Sequence, residues 1–188
     1  LKGLGFKITG SDKNIYPPMS TQLQEMGIEV MDGYVKDNLN HNPDFIIVGN
    51  VISKNFEEAE EMVKKEIPYT SLPKAIGEYA IGNRSSIVIS GTHGKTTTTS
   101  MLAWVAEVCG KHPGYLIGGI PNNFEKSFRN PGKKNDGSEW FIIEGDEYDT
   151  AYFDKVPKFI HYKPKYVIIS SLEFDHADIN KDLDEVKL

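Results

Sequence analysis

The chain has 188 residues and a formal net charge of −6, from 21 Lys and Arg against 27 Asp and Glu, which makes nucleic acid a poor partner. Hydrophobic residues make up 39%, and 17 glycines raise the apolar share to a globular value, so disorder, collagen and coiled coil are excluded. No apolar run approaches the roughly 18 residues of a membrane span. A single cysteine, Cys109, excludes an internal disulfide and suits a reducing cytosol, so we expect a cytoplasmic protein.

Apolar runs alternate with longer amphipathic stretches, a pattern that predicts an α/β fold with a mostly parallel sheet. In the first part of the chain we expect strands over residues 6–9, 28–31, 45–48 and 69–71, and helices over 20–26, 55–66 and 73–82. In the second part we expect strands over 87–89, 115–117, 140–143 and 166–169, a helix over 98–109 and an exposed loop over 121–138. The apolar residues of the 98–109 helix predict an inner face of Met101, Leu102, Val105 and Val108.

The strongest motif is a buried strand, a glycine-containing loop, and Gly-Lys-Thr at the start of a helix. In this arrangement backbone N–H groups and the helix N-terminus donate to phosphate oxygens. The nucleotide-binding residues predicted on this basis are Gly91, Thr92, His93, Gly94, Lys95, Thr96 and Thr97. Lys95 would neutralise the β- and γ-phosphates, and the Thr96 hydroxyl would bind Mg²⁺.

This loop is shorter than that of the general P-loop. The general motif has a glycine five residues before Gly94, where this chain has Ile89, and Gly91 lies only three residues before Gly94. A threonine-rich helix start whose hydroxyls only cap the helix is the alternative interpretation. The order of strand, loop and helix favours nucleotide binding.

Acidic residues and a histidine follow two later strands. Residues 144–149 contain four carboxylates, beginning with Glu144, and the strand over 166–169 leads to Asp175 and His176. Ligands gather at the carboxyl ends of parallel strands, and Mg²⁺ prefers oxygen ligands completed by water. We therefore expect Glu144 near the nucleotide's metal and His176 near a second Mg²⁺, although each cluster alone also fits a solvated loop.

Asp12 closes the first strand, where dinucleotide-type folds place an acid that hydrogen-bonds a ribose. Turn formation is the alternative explanation for an Asp at this position. Such an acid normally follows a glycine-rich turn by about 20 residues. Because the chain starts at Leu1 rather than Met, we expect a strand and a glycine loop upstream of it.

Several stretches of the chain together resemble the Mur ligases, the ATP-dependent amide-forming enzymes of peptidoglycan synthesis. The stretches that carry the resemblance are 9–12, 16–20, 68–71, 90–99, 118–124, 144–154, 158–162 and 172–178. The family's shortened ATP loop accounts for Ile89. Two departures are Gly145, where the family usually has Ala, and Ser171, where an Asn is common.

The resemblance implies a Rossmann-like UDP-sugar-binding domain over residues 1–82 and the N-terminal part of a P-loop ATPase domain over 83–188, with a boundary near Gly82. It implies ATP and Mg²⁺ as cofactors, with Lys95, Glu144 and His176 as catalytic residues and Thr96, Glu144 and His176 as metal ligands. The substrate-binding residues implied are Ser11, Asp12, Asn123 and Tyr148.

The resemblance also implies the reaction and its partners. It is closest to members that join UDP-N-acetylmuramate to the tripeptide L-Ala-γ-D-Glu-meso-diaminopimelate through an acyl phosphate, in peptidoglycan recycling. The member that adds L-alanine has Asp-Glu-Ser-Asp where this chain has Asp146-Glu147-Tyr148-Asp149. It remains an alternative, as does a nucleotide-binding switch module without ligase activity.

Overall fold

The computed structural model describes residues 1–130, 139–146 and 148–171. These residues fall into two compact units: residues 1–71 with 151–153, and the described residues of 72–150 and 154–188. The α/β class and the mostly parallel sheet are confirmed. The domain boundary near Gly82 stays a prediction. Within the described residues, no helix combines the length and the apolar character needed to cross a membrane.

The first unit contains two pairs of parallel strands. Its strands are β1 (Thr9–Asp12), β2 (Glu29–Asp32), β3 (Ile46–Val48) and β4 (Tyr69–Ser71), with β1 paired to β2 and β3 paired to β4. Its helices are α1 (Met19–Glu25) and α2 (Glu57–Lys64), with short 3₁₀ turns at Lys2–Leu4 and Lys36–Leu39. A small core of Leu39, Val48, Met62 and Ile67 lies between α2 and the chain around β3.

The first strand lies three residues later than the sequence predicts. The 3₁₀ turn at the start of the chain ends at Gly5, whose φ of +91° belongs to the left-handed region. Phe6 is exposed, and pairing with β2 runs from Thr9 to Asp12. Ser11 and Asp12 are the last residues of β1, so Asp12 closes this strand as predicted.

The second unit is built on a five-stranded sheet in the order β11-β5-β8-β6-β7. These strands are β5 (Ser85–Ser90), β6 (Gly114–Leu116), β7 (Phe128–Arg129), β8 (Trp140–Glu144) and β11 (Tyr166–Ile169), and only β7 is antiparallel. A two-stranded sheet of β9 (Asp149–Ala151) and β10 (Asp154–Pro157) follows β8. The helices are α3 (Leu72–Ala75), continued by a π-helical turn (Ile76–Ile81), α4 (Lys95–Val108) and α5 (Lys158–His161).

The predicted inner face of α4 is wrong in three of its four residues. Met101, Val105 and Val108 are 58%, 56% and 69% exposed. The residues that face the sheet are Thr99 and Ala103, both fully buried, with Leu102 and Ala106 packed beside them. A helix lying on a sheet at close range accommodates small side chains, so the hydrophobic periodicity alone identified the wrong face.

The predicted strands of the second unit are confirmed to within two residues at each end. All four residues of β11 are exposed, although their apolar character is typical of a buried strand. The short strands β7, β9 and β10 were not predicted, since two to four residues carry too little alternation to be recognised.

Candidate nucleotide and metal site

Four parallel strands bring their carboxyl ends together at one edge of the five-stranded sheet. Here β5 leads into the loop 91–94 and then α4, while β8 ends at Glu144. Gly118 follows β6, and Ser170 and Ser171 follow β11. This edge is where α/β sheets bind ligands, and the predicted loop residues and Glu144 meet on it.

The two glycines of the loop are required by its shape. Gly91 has a φ of +126°, and a Cβ there would lie 2.7 Å from both Ser170 Oγ and Ser171 O. Gly94 is the N-cap of α4 and has a φ of +79°. Both conformations are disfavoured for residues with side chains, so this turn leads directly from β5 into the first turn of α4.

The two serines that follow β11 form hydrogen bonds with the loop residues Thr92 and His93. The backbone N–H of Thr92 donates to Ser171 O at 3.1 Å, and that of His93 donates to Ser171 Oγ at 2.9 Å. Ser170 Oγ donates to the His93 carbonyl. Two of the amides predicted to bind phosphate thus already have acceptors, which leaves the N–H groups of the first turn of α4 as the clearest anion donors.

Lys95 lies over the same loop. Its half-buried side chain folds back so that Nζ donates to Gly91 O at 2.6 Å and reaches Thr92 O at 3.4 Å. The ammonium group therefore sits at the loop, within a side-chain rotation of the helix N-terminus. Its role at the nucleotide's phosphates stays a prediction.

Thr96 and Glu144 are joined directly. Thr96 Oγ1 donates to Glu144 Oε2 at 3.0 Å, and the other carboxylate oxygen, Oε1, accepts the Gly118 N–H at 2.6 Å. Two oxygens bound side by side to Mg²⁺ at its usual bond length of about 2.1 Å lie about 2.9 Å apart. The hydroxyl and carboxylate are therefore spaced as neighbouring ligands of that ion, and the pair fits it.

The other described carboxylates of residues 144–149 do not contact this pair. Asp146 forms an ion pair with Lys158 at 2.9 Å, and Asp149 pairs with Lys155 at 2.7 Å. Among residues 1–130, 139–146 and 148–171, no group of three His, Cys, Asp or Glu side chains is spaced to hold a metal. A cation at Thr96 and Glu144 would therefore need phosphate and water oxygens, which is the coordination that Mg²⁺ favours.

The remaining predicted site residues of the second unit are less clearly placed. Asn123 lies in an exposed turn after β6, and Tyr148 is half-buried between β8 and β9. His176 lies outside the described residues, as does Asp175. The assignments of these residues stay predictions.

The predicted substrate residues of the first unit have polar partners of their own. Ser11 Oγ donates to Glu58 Oε1 at 2.8 Å, and Asn38 Nδ2 donates to the other oxygen of that carboxylate at 3.2 Å. Asp12 Oδ1 accepts the Tyr34 hydroxyl. Burial, with the Asp12 carboxylate as the second cause, raises the pKa of Tyr34 to about 12. The phenol thus stays protonated and orients Asp12.

Sequence reasoning missed several groups that shape these sites. Gly118 entered the sequence analysis only as part of the stretch 118–124, yet its amide donates to Glu144. Ser171 was recognised only as a departure from a pattern, yet it accepts two amides of the loop. Glu58 lies in the predicted helix 55–66 and was given no role there, yet it accepts the Ser11 hydroxyl. A backbone donor has no sequence signature, so Gly118 could not have been found this way.

Two family models match the chain. Residues 1–84 match the "Mur ligase family, catalytic domain" and residues 89–187 match the "Mur ligase middle domain". A UDP-N-acetylmuramate–L-alanyl-gamma-D-glutamyl-meso-2,6-diaminoheptandioate ligase of Escherichia coli is 46% identical over 98% of this chain and 39% of its own length. A UDP-N-acetylmuramate–L-alanine ligase of Lactobacillus acidophilus is 35% identical over 98% of the chain and 38% of its length.

A solved structure agrees with these matches. The UDP-N-acetylmuramate:L-alanyl-gamma-D-glutamyl-meso-diaminopimelate ligase from Neisseria meningitides superimposes with a TM-score of 0.92 at 44% identity, over 99% of this chain and 59% of that one. The chain spans about two fifths of the length of the curated relatives it matches. From residue 1 to residue 187, with a short gap between the two models, it carries Mur ligase sequence on a Mur ligase fold, and it belongs to the Mur ligase family.

Proposed function

We propose that the full-length protein is an ATP-dependent ligase that joins UDP-N-acetylmuramate to L-Ala-γ-D-Glu-meso-diaminopimelate in peptidoglycan recycling. The 46% identity to a relative named for that reaction, against 35% for one named for alanine addition, favours the tripeptide as the amine. Tyr148 in place of the serine of the alanine-adding pattern agrees with this choice. The lone free thiol, Cys109, fits a cytoplasmic location.

The observation that carries the proposal is the 3.0 Å contact between the Thr96 hydroxyl and the Glu144 carboxylate. It lies at the N-terminus of α4, beside a glycine loop that ends in Lys95. A metal–triphosphate complex requires a helix N-terminus, a lysine and a pair of oxygen ligands close together. A threonine-rich helix cap would not need the carboxylate of a different strand.

Each of these residues has a distinct task in the proposed reaction. The first-turn amides of α4 bind and orient the phosphates, and Lys95 moves from the carbonyls of Gly91 and Thr92 onto the transferring phosphoryl group. Thr96 and Glu144 would hold Mg²⁺, which supplies charge neutralisation for phosphoryl transfer when bound. Bringing a carboxylate to within about 4 Å of a triphosphate oxygen costs a few kcal/mol at an intermediate dielectric, and this positive charge offsets that repulsion.

The reaction has two balanced steps. An oxygen of the muramyl carboxylate bonds to the γ-phosphorus of ATP while the bond to the β,γ-bridging oxygen breaks, which gives an acyl phosphate and ADP. The neutral amine of the tripeptide then attacks the acyl carbon. The C–O bond to phosphate breaks, the nitrogen loses a proton, and an amide and inorganic phosphate are released.

Replacing Lys95 with Ala in the full-length protein tests the role of the loop. We expect kcat to fall at least about 100-fold, since a positive group at the developing charge is removed. The affinity for UDP-N-acetylmuramate should stay within about twofold, because Lys95 belongs to the second unit, whereas the predicted substrate residues Ser11 and Asp12 belong to the first. The measurement is ADP release at saturating substrates together with calorimetric binding of the UDP-sugar.

The matched control is Lys111→Ala, which removes an exposed lysine beyond the end of α4. It should leave both parameters unchanged. Wild-type turnover in the Lys95→Ala protein would refute the assigned role.

Acceptor specificity separates the proposal from its alternatives. ADP should form when UDP-N-acetylmuramate and the tripeptide are both present, and L-alanine should be a far poorer acceptor. Efficient use of L-alanine would identify the alanine-adding member instead. ADP formation without either co-substrate would indicate a nucleotide-driven switch.

A further inference from the structure

We propose that Gly118 is a positioning residue for the metal ligand Glu144, acting through its backbone N–H and through its lack of a side chain. This inference rests on the proposed function, because it concerns the metal that accompanies ATP. The residue that it adds to the site, Gly118, has no side chain and acts through its backbone amide.

The carboxylate of Glu144 is held from two directions. The Gly118 N–H donates to Oε1 at 2.6 Å, and the Thr96 hydroxyl donates to Oε2 at 3.0 Å. The two donors belong to different elements, the end of β6 and the first turn of α4. Hydrogen bonds to an ionised carboxylate are the stronger kind, so the pair fixes both the position and the rotation of the carboxylate plane.

The space beside Gly118 is filled by the same carboxylate. A Cβ on Gly118 would lie 3.2 Å from both Oε1 and Oε2 and 3.5 Å from the carboxyl carbon. Such a contact is tighter than nine in ten real Cβ contacts, so the carboxylate would have to move by a few tenths of an ångström. A metal ligand moved by that distance no longer matches the near-ideal octahedron that Mg²⁺ demands.

The backbone conformation of residue 118 does not explain why it is a glycine. Gly118 does not adopt a left-handed φ, so an alanine fits its backbone. The next residue, Gly119, is a natural comparison, because among the described residues a Cβ there would meet only Thr96 Cγ2, at an ordinary 3.8 Å. The requirement for glycine at 118 therefore comes from Glu144.

The test is the gain in ATP affinity that a divalent ion confers on the full-length protein. ATP binding is measured by calorimetry once with saturating Mn²⁺ and once with excess EDTA, and the ratio of the two Kd values is the metal-dependent gain. Disturbing a group that orients a metal ligand typically weakens metal affinity by about 10- to 100-fold. We expect Gly118→Ala to reduce the gain about 10-fold, while the Kd in EDTA stays within about twofold of wild type.

Gly119→Ala is the matched control and should keep the wild-type gain. In a Glu144→Ala background, adding Gly118→Ala should change nothing further, because the affected carboxylate has been removed. The Kd in EDTA also reports folding, so a misfolded variant is recognised by losing both affinities.

The outcomes separate this inference from the proposed function. If Gly118→Ala keeps the wild-type gain, or reduces it equally in the Glu144→Ala background, the positioning role is wrong while the ligase proposal stands. If the wild-type protein binds ATP equally well with Mn²⁺ and with EDTA, the metal site itself is wrong and both proposals fall.

Discussion

At the scale of single residues, Gly145 shows how tightly the chain packs directly after Glu144. It follows Glu144, is buried, and its amide donates to Ile89 O at 2.8 Å. A Cβ at this position would lie 2.4 Å from Val88 Cγ1 and 2.9 Å from Phe159 Cβ. An alanine, the residue that the resemblance led us to expect here, therefore does not fit beside Val88 and Phe159 without repacking.

We expect Gly145→Ala to lower the free energy of unfolding by about 1–3 kcal/mol, the range for an extra methyl group in a packed core. The cause is the clash with Val88, so Gly145→Ala and Val88→Ala combined should destabilise less than the sum of the two single changes. Urea unfolding of the four proteins gives this coupling directly.

Gly49→Ala is a suitable control, because a Cβ there meets no atom of residues 1–130, 139–146 or 148–171 within 4 Å and the backbone is not left-handed. If Gly145→Ala unfolds at the same urea concentration as Gly49→Ala, the packing described around Gly145 is incorrect.

The residue scale also shows how much of the site could be predicted from the sequence. The meeting of Thr96 with Glu144 follows from two strand ends in one parallel sheet, and both ends could be predicted from their apolar runs. The contacts of the Gly118 amide and the Ser171 carbonyl could not, because they use backbone groups that nearly every residue possesses. Only coordinates show which amide lies within hydrogen-bond distance of which oxygen.

At the scale of elements, an ion pair joins the end of α4 to the short strand β7. Arg129 Nη2 lies 2.5 Å from Glu107 Oε2, and the same guanidinium donates twice to Pro113 O. His112 Nδ1 approaches the other oxygen of Glu107 at 3.1 Å. The hydrogen bond from Arg129 is the main cause that lowers the pKa of Glu107 below its ordinary value, against the opposing effect of burial.

This lowered pKa predicts how stability depends on pH. A carboxyl group whose pKa is lower in the folded than in the unfolded state adds stability above its unfolded pKa, and that stability is lost as pH falls through the folded pKa. We expect Glu107→Gln to be less stable than wild type at pH 7, by no more than about 1 kcal/mol for this partly exposed pair. The difference should shrink as the pH drops from about 5 toward 3.

Urea unfolding at a series of pH values measures this effect. Glu125→Gln, at an exposed position, should show no comparable pH-dependent difference. A constant difference between wild type and Glu107→Gln across the series would mean that the ion pair does not contribute as described.

The elements differ in how well they could be predicted. The helix of residues 73–82 was located correctly, and it ends at Gly82, but its π-helical turn was not foreseen. That turn brings Gly77 so close to His161 O that a Cβ would lie 2.3 Å away, a tertiary contact invisible in local sequence. For α4 the length was nearly right and the face was wrong, because Thr99 and Ala103 pack where larger residues were expected.

At the scale of the whole molecule, the predicted sites divide between the two compact units. Ser11 and Asp12 belong to the first unit, whereas Lys95, Thr96 and Glu144 belong to the second. Each unit has its own buried cluster. Ligands that bind at the two sites should therefore protect different backbone amides from hydrogen exchange.

Hydrogen exchange of the full-length protein should show this division. We expect Mg²⁺ with ATP to slow exchange in the first turn of α4 and at Gly118, and UDP-N-acetylmuramate to slow it in β1. Protection by ATP that centred on β1 and β2 would contradict the assignment of the nucleotide site to the second unit.

The residues that follow β11 fix one flank of the site. On that flank, Ser170 and Ser171 occupy the space beside Gly91, and Ser171 accepts hydrogen bonds from the amides of Thr92 and His93. On the opposite flank, toward β8, the Thr96 hydroxyl and the Glu144 carboxylate lie beside the helix N-terminus. We expect a bound nucleotide to place its triphosphate along the β8 flank. Its γ-phosphorus would then lie next to the Glu144 carboxylate rather than next to Ser170 and Ser171.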